Sequence, residues 1–155
     1  MLNKKQVLNG LETEIRFKSF IENQGFKGIK VGAAYDMNHH YDINISANIE
    51  IKGMKRLRRG EEVQDEWHWI EVQGVNDDGW LYNSHADMIA FETQKSWIIV
   101  RPSNLIDYVQ RFVAHEFVDK PLLAQYKLYR RKDRNDAITL IKSDDLRHIG
   151  VEWLK

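Results

Sequence analysis

From residue 42 to residue 52 the chain reads DINISANIEIK, with an apolar side chain at every odd position and a polar one at every even position. A period of two is the mark of a β-strand, because successive side chains leave the backbone on opposite faces. The alternation predicts that Ile43, Ile45, Ile49 and Ile51 face a core. Asp42, Glu50 and Lys52 then project together from the other face. One straight strand would hold Asp42 and Glu50 about 26 Å apart, at ~3.3 Å per residue. A reversal at Ser46–Asn48 would instead set Asn44 opposite Glu50 and Asp42 opposite Lys52, on strands ~4.8 Å apart. The expectation is a hairpin that gathers two acids and a lysine at one end of a sheet.

The rest of the chain alternates between the two periods. Leu11, Ile15, Phe17, Phe20 and Ile21 recur at helical spacing over residues 10–24, with Asn9 as a cap and Gly25 as a stop. WHWIEVQGV at 67–75, ADMIAFE at 86–92 and WIIV at 97–100 predict strands, and NDDGW at 76–80 a turn. A helix is expected from Ser103 through about residue 117, with Leu105, Ile106, Val109, Phe112, Val113 and Phe117 on its apolar side. Strands around Tyr126–Arg130 and Ala137–Ile141 and a short helix after Ser143 complete the order. The fold class this predicts is α/β, with a mixed central β-sheet flanked by helices in a single domain over residues 1–155.

Composition adds exclusions. The 155 residues are 43% apolar and 30% charged, enough for a folded core. Twenty-three basic residues balance 23 acidic ones, so bulk charge does not hold the chain to nucleic acid or to an anionic membrane. Without cysteine, disulfides, zinc ribbons, iron–sulfur sites and thiol catalysis drop out. No apolar run approaches the ~20 residues of a membrane helix, and the expected compartment is the cytoplasm.

Two carboxylates with a lysine carry a specific chemistry. Asp42 and Glu50 offer oxygen ligands to a hard cation such as Mg²⁺, which also takes phosphate oxygens. Lys52 is placed to orient the attacking water or to neutralise a pentavalent phosphorus. Glu71, flanked by Ile70 and Val72, needs a partner of its own. Either Glu71 or Glu14 could join the cluster. The competing explanation of Glu50-Ile51-Lys52 is an ordinary ion pair on a sheet.

Asp42-x7-Glu50-Ile51-Lys52 resembles the motif of the PD-(D/E)XK nuclease superfamily, which includes restriction endonucleases, Holliday-junction resolvases and phage nucleases. Glu14 followed by Gly25-Phe26 is similar to the resolvase pattern, and IEVQG…GWLYNSHADMIAFE resembles a phage-type subgroup. The likeness covers residues 10–100. It implies a restriction-endonuclease-like three-layer core of αβββαβ type and Mg²⁺-dependent hydrolysis of DNA, with Mn²⁺ as a substitute. By the same likeness Asp42 and Glu50 are metal ligands, Lys52 is the catalytic lysine, and Glu14 and Glu71 are auxiliary acids. Tyr41 stands where the motif has proline. Glu71-Val72-Gln73 is an alternative active motif, because some restriction enzymes carry E-x-Q. A nuclease fold kept only to bind DNA or protein is a further alternative, and a homodimer would let an 18.4 kDa subunit cut two strands.

Charge is uneven along the chain. Residues 52–59 hold Lys52, Lys55, Arg56, Arg58 and Arg59 with no acid, a local +5; residues 127–134 hold five basic residues and Asp133, a local +4. Lys55, Arg56, Arg58 and Arg59, with Arg130 and Arg131, are the expected DNA contacts. Glu61, Glu62, Asp65 and Glu66 follow at once, so local pairing competes with that role. Trp80 is the expected exposed ring for base stacking. His39, His40, His68 and His85 raise a second metal option, zinc or iron.

Overall fold

The computed structural model describes residues 4–23, 25–30, 32 and 43–155. They divide into two compact units, residues 1–48 and 49–155. Asp42 and the histidines at 39 and 40 lie outside the described residues. Among the described residues no helix is long and apolar enough to cross a membrane.

The first unit holds helix α1 (Lys4–Asn23) and strands β1 (Lys27–Lys30) and β2 (Ile43–Ser46). Gly25 ends α1 as its position predicts. Its φ of 91° lies in the left-handed region, and the Gly25 and Phe26 amides donate to the carbonyls of Glu22 (2.9 Å) and Ile21 (3.2 Å). That double bond is the Schellman closure of a helix. Asn9 falls inside α1 rather than at its cap. β1 and β2 run antiparallel, Lys27 opposite Ser46 and Lys30 opposite Ile43. Buried Ile21 packs α1 onto β1, where a side chain at Gly28 would come within 2.8 Å of it. Glu14 is ion-paired with Lys30 at 2.6 Å.

The second unit contains two four-stranded sheets. One runs β10 (Gly150–Leu154), β6 (Ser96–Val100), β5 (Met88–Glu92), β3 (Ile49–Lys52); the other runs β4 (Trp67–Gln73), β9 (Ala137–Lys142), β8 (Lys127–Tyr129), β7 (Ala114–Val118). β3 is parallel to β5 and β7 to β8; the other ladders are antiparallel. Three α-helices, α2 (Trp80–Asn83), α3 (Pro102–Phe112) and α4 (Ser143–Ile149), and one 3₁₀ turn (Pro121–Leu123) complete the unit. Ile70 and Ile141 from one sheet, Phe91 and Val100 from the other, Leu105 of α3 and Leu146 of α4 belong to one buried cluster. The class is mixed α/β, as expected, but the strands are shared among three sheets rather than placed in one central sheet.

Three expectations change. First, the chain does break between Ser46 and Ile49, yet β2 and β3 do not pair with each other. β2 pairs with β1 and β3 with β5, so Asn44 lies opposite Ile29 and Glu50 opposite Ile89. Second, three of the four isoleucines of this segment do not face a core. Ile45, Ile49 and Ile51 are 49%, 39% and 59% exposed, whereas Glu50 and Lys52 are half-buried. β3 is an edge strand, and its polar face is the more covered one. Third, the helix beginning near Ser103 starts at Pro102 and stops at Phe112. The Ala114 amide donates to the Tyr126 carbonyl (2.8 Å) and residues 114–118 become β7, a sheet hydrogen bond that wins over the helical pattern. Strands β1 and β10 had no periodic signal of their own.

Candidate functional site

Glu50 and Lys52 leave β3 on the same face, as period two requires, and form an ion pair. Burial by itself raises the Glu50 carboxyl, but hydrogen bonds from Lys52 and Ser84 outweigh it and hold the group below the usual carboxylate range. Lys52 Nζ also sits 3.9 Å from the centroid of the Trp80 ring. That ring is the first residue of α2 and packs against Phe91, with centroids 6.4 Å apart. Trp80 is therefore a half-buried support for Lys52 rather than the exposed ring expected of it. Its position depends on Gly79, which is buried and whose amide donates to the Val72 carbonyl (3.2 Å).

Lys52 lines a cleft of about 1010 Å³ in the second unit, together with Lys55, Arg56, Trp69, Glu71 and Arg131. The segment between β3 and β4 forms one edge of it. That segment is closed by the Lys55–Gln64 bridge and by the Gln64 side chain, whose amide nitrogen donates to the carbonyls of Lys55 (3.0 Å) and Trp67 (2.8 Å). Arg58 is turned to Glu61 in the same segment, Nε to carboxylate at 2.6 Å, so local pairing takes this guanidinium. Lys55, Arg56 and Arg59 are exposed. Trp69 Nε1 donates to the Arg56 carbonyl at 3.1 Å, which fixes the indole beside the arginine.

Glu71 shares the half-buried face of β4 with Trp69, as parity predicts, and Arg131 Nη2 lies 3.5 Å from it. Arg131 also bonds the carboxylate of Asp136, which is fully buried, while its backbone amide donates to the same carboxylate (3.2 Å). The partner expected for Glu71 is thus a cation held by two acids. Arg130 goes elsewhere: its guanidinium lies 4.6 Å from the Phe117 ring and lines a separate polar cavity with Asp77 and Asp78.

His68 points away from Glu71 and is 4% exposed. Its Nε2 pairs with Ser143 Oγ at 2.9 Å, and that hydroxyl donates to the Asp65 carbonyl. Burial pushes the imidazole down to about 4; Asp65 opposes this and Arg147 adds to it. The group is a neutral tie between β4 and α4, which gives it a packing role in place of the metal role raised from sequence.

Among the described residues, no three His, Asp or Glu side chains are grouped to hold a metal. Glu50 is bound by Lys52 and Ser84, Glu71 by Arg131 and Glu14 by Lys30. The sequence carried no signal for Ser84, or for Asp136 behind Arg131; each meets its partner only through folding. No protein-family model, no curated protein and no solved structure matches the chain.

Proposed function

We propose that this protein is a metal-dependent nuclease that hydrolyses DNA phosphodiesters as an endonuclease, with a restriction-endonuclease-like core. The reading is carried by Glu50 and Lys52, paired side by side on β3, with Lys52 opening on a cleft that also holds Lys55, Arg56 and Arg131. A lowered carboxyl keeps Glu50 anionic at neutral pH, the state a hard cation needs. The fit rests on one described carboxylate. Mg²⁺ binds through one or two carboxylates and completes its shell with water and phosphate oxygens. Glu50 would hold it, and Asp42, expected as a ligand from the motif, lies outside the described residues. When bound, the ion lowers the pKa of a water and offsets charge on the phosphoryl group.

The chain's own groups have separate tasks. Lys52, steadied by Trp80, places positive charge at the attacked phosphate and orients the water. Lys55 and Arg56 draw the backbone to the cleft. The core assignment is supported by the parallel pairing of β3 with β5, across a connection that carries β4 of the other sheet and the short helix α2. In that core, Glu71 would be an auxiliary acid.

A second reading, a nuclease fold retained for binding, is favoured by the described partners of Glu50, which are a lysine and a serine rather than another acid. One assay separates the two. Supercoiled, linear and branched DNA are incubated with the protein in Mg²⁺ or Mn²⁺, alongside Lys52→Ala and Glu50→Gln. Cleavage by the parent and by neither variant is the expected result. No cleavage of any substrate, with no divalent ion bound, would leave the binding module.

A further inference from the structure

We infer that the cleft of the second unit takes a single polynucleotide strand, stacking an unpaired base on Trp69 while Lys55 and Arg56 hold the neighbouring phosphates. The inference rests on the nuclease reading for the identity of the site and goes further by naming the form of the substrate.

Three observations carry it. The first is size. About 1010 Å³ lies at the upper end of the ~300–1,000 Å³ range of small-ligand pockets. That space accommodates a nucleotide or two. The second is composition. The lining combines Trp69 and Tyr129 with Lys55, Arg56 and Arg131, so π-faces stand beside cations. Single-strand sites are built this way, because every base offers a face to stack and every phosphate a charge. The third is the Trp69–Arg56 hydrogen bond of 3.1 Å, made by the indole nitrogen to the arginine carbonyl. It ties the indole to the main chain at Arg56, so a base stacked on the ring lies next to the segment that carries Lys55 and Arg56. Tyr129, 6.4 Å from Trp69 between centroids, supports the ring from β8.

Trp80 is not a second platform of this kind, since Lys52 covers its ring. Zero net charge fits the same picture: attraction is local to the cleft and not a property of the whole surface.

The test uses the full chain in EDTA, so that binding is read without cleavage. Fluorescence anisotropy is measured with labelled oligo(dT), oligo(U) and a DNA duplex of equal length, at fixed salt. The expected result is tighter binding of one or both single strands than of duplex, by about tenfold. Trp69→Ala weakens single-strand binding by about tenfold and Trp69→Phe retains most of it. Duplex bound as tightly as single strands overturns the inference, and so does an unchanged affinity of Trp69→Ala. Should Trp69→Ala not fold, Lys55→Ala/Arg56→Ala at exposed positions replaces it. Weaker single-strand binding then supports the inference, and unchanged binding overturns it. Single-strand binding without cleavage in Mg²⁺ would remove the nuclease reading and keep this one. Duplex cleavage without single-strand preference would do the reverse.

Discussion

Lys52 stands 3.9 Å above the Trp80 ring while its ammonium is paired with Glu50. Two restraints of different kinds, one electrostatic and one from an aromatic face, hold the same cation. Lys52 is thereby limited to a small set of positions at the cleft edge, which is what a residue needs if it is to meet a phosphate repeatedly at one place.

Trp80→Leu tests that restraint. A cation–π contact at a partly exposed site contributes about 0.5–1 kcal/mol. On the proposed nuclease reading, its loss is expected to slow cleavage by roughly two- to fivefold, with Lys52→Ala abolishing it. Equal rates for Trp80→Leu and the parent, measured on one supercoiled substrate, would show that the ring does not position the lysine.

His68 makes stability depend on pH. Its value falls from 6.5 in the unfolded chain to about 4 when folded, because burial disfavours the imidazolium. Between these values the unfolded chain binds more protons, so stability declines as pH drops from about 6.5 to about 4 and levels off below. The loss amounts to at most about 3 kcal/mol, from 1.36 kcal/mol per pKa unit. Urea midpoints at pH 7, 5.5 and 4.5 measure it, and His68→Gln is expected to flatten that part of the profile.

Arg131 is more important for folding than its half-exposed position implies. Arg131→Met leaves the fully buried Asp136 carboxylate without its cation, at a cost of about 3–5 kcal/mol. Glu71→Gln, which loses only a partly exposed pair at 3.5 Å, is expected to cost under ~1 kcal/mol. Adding Asp136→Asn to Arg131→Met should recover part of the loss. Chemical denaturation of the four proteins decides the order.

Gly79→Ala probes the turn that delivers Trp80. A Cβ there would overlap the Glu71 carbonyl, which belongs to the backbone of β4 and cannot swing away. A loss of about 1–3 kcal/mol is expected. An unaltered thermal midpoint would mean that the turn adjusts freely.

Salt titration separates the basic residues of the 52–59 run. Lys55→Ala/Arg56→Ala should lower the slope of log affinity against log salt by about 1.4 for a single strand, at ~0.7 per phosphate contact. Arg58→Ala should change it by much less, since Glu61 already takes that guanidinium.

Much of this was legible from the residue pattern. Alternation at 67–73 placed Trp69 and Glu71 on one side of β4 and His68 and Ile70 on the other, and their burial agrees. Alternation at 49–52 placed Glu50 beside Lys52. It misread which face is covered, because a period of two gives parity but not the side on which the neighbouring sheet lies. The helix from 102 showed its start through Pro102 and its apolar stripe, but not its end. Phe112, Val113 and Phe117 suit both a helix and a strand, and the choice rests with Tyr126, a residue twelve positions beyond Ala114.

Residue order alone settles which side chains share a face, where α1 stops and which ligand chemistries are excluded. These are local matters, decided by backbone geometry, a positive φ at Gly25 and the absence of thiols. Which strand lies beside which, and with it every pairing that makes the cleft, emerges only from the packed fold. Lys52 over Trp80, Arg131 between Glu71 and Asp136, and Trp69 against Arg56 each join separate segments of the chain. A strand's hydrogen-bond groups are satisfied by any strand of matching register, so the partner is selected by the whole core and not by the strand's own letters.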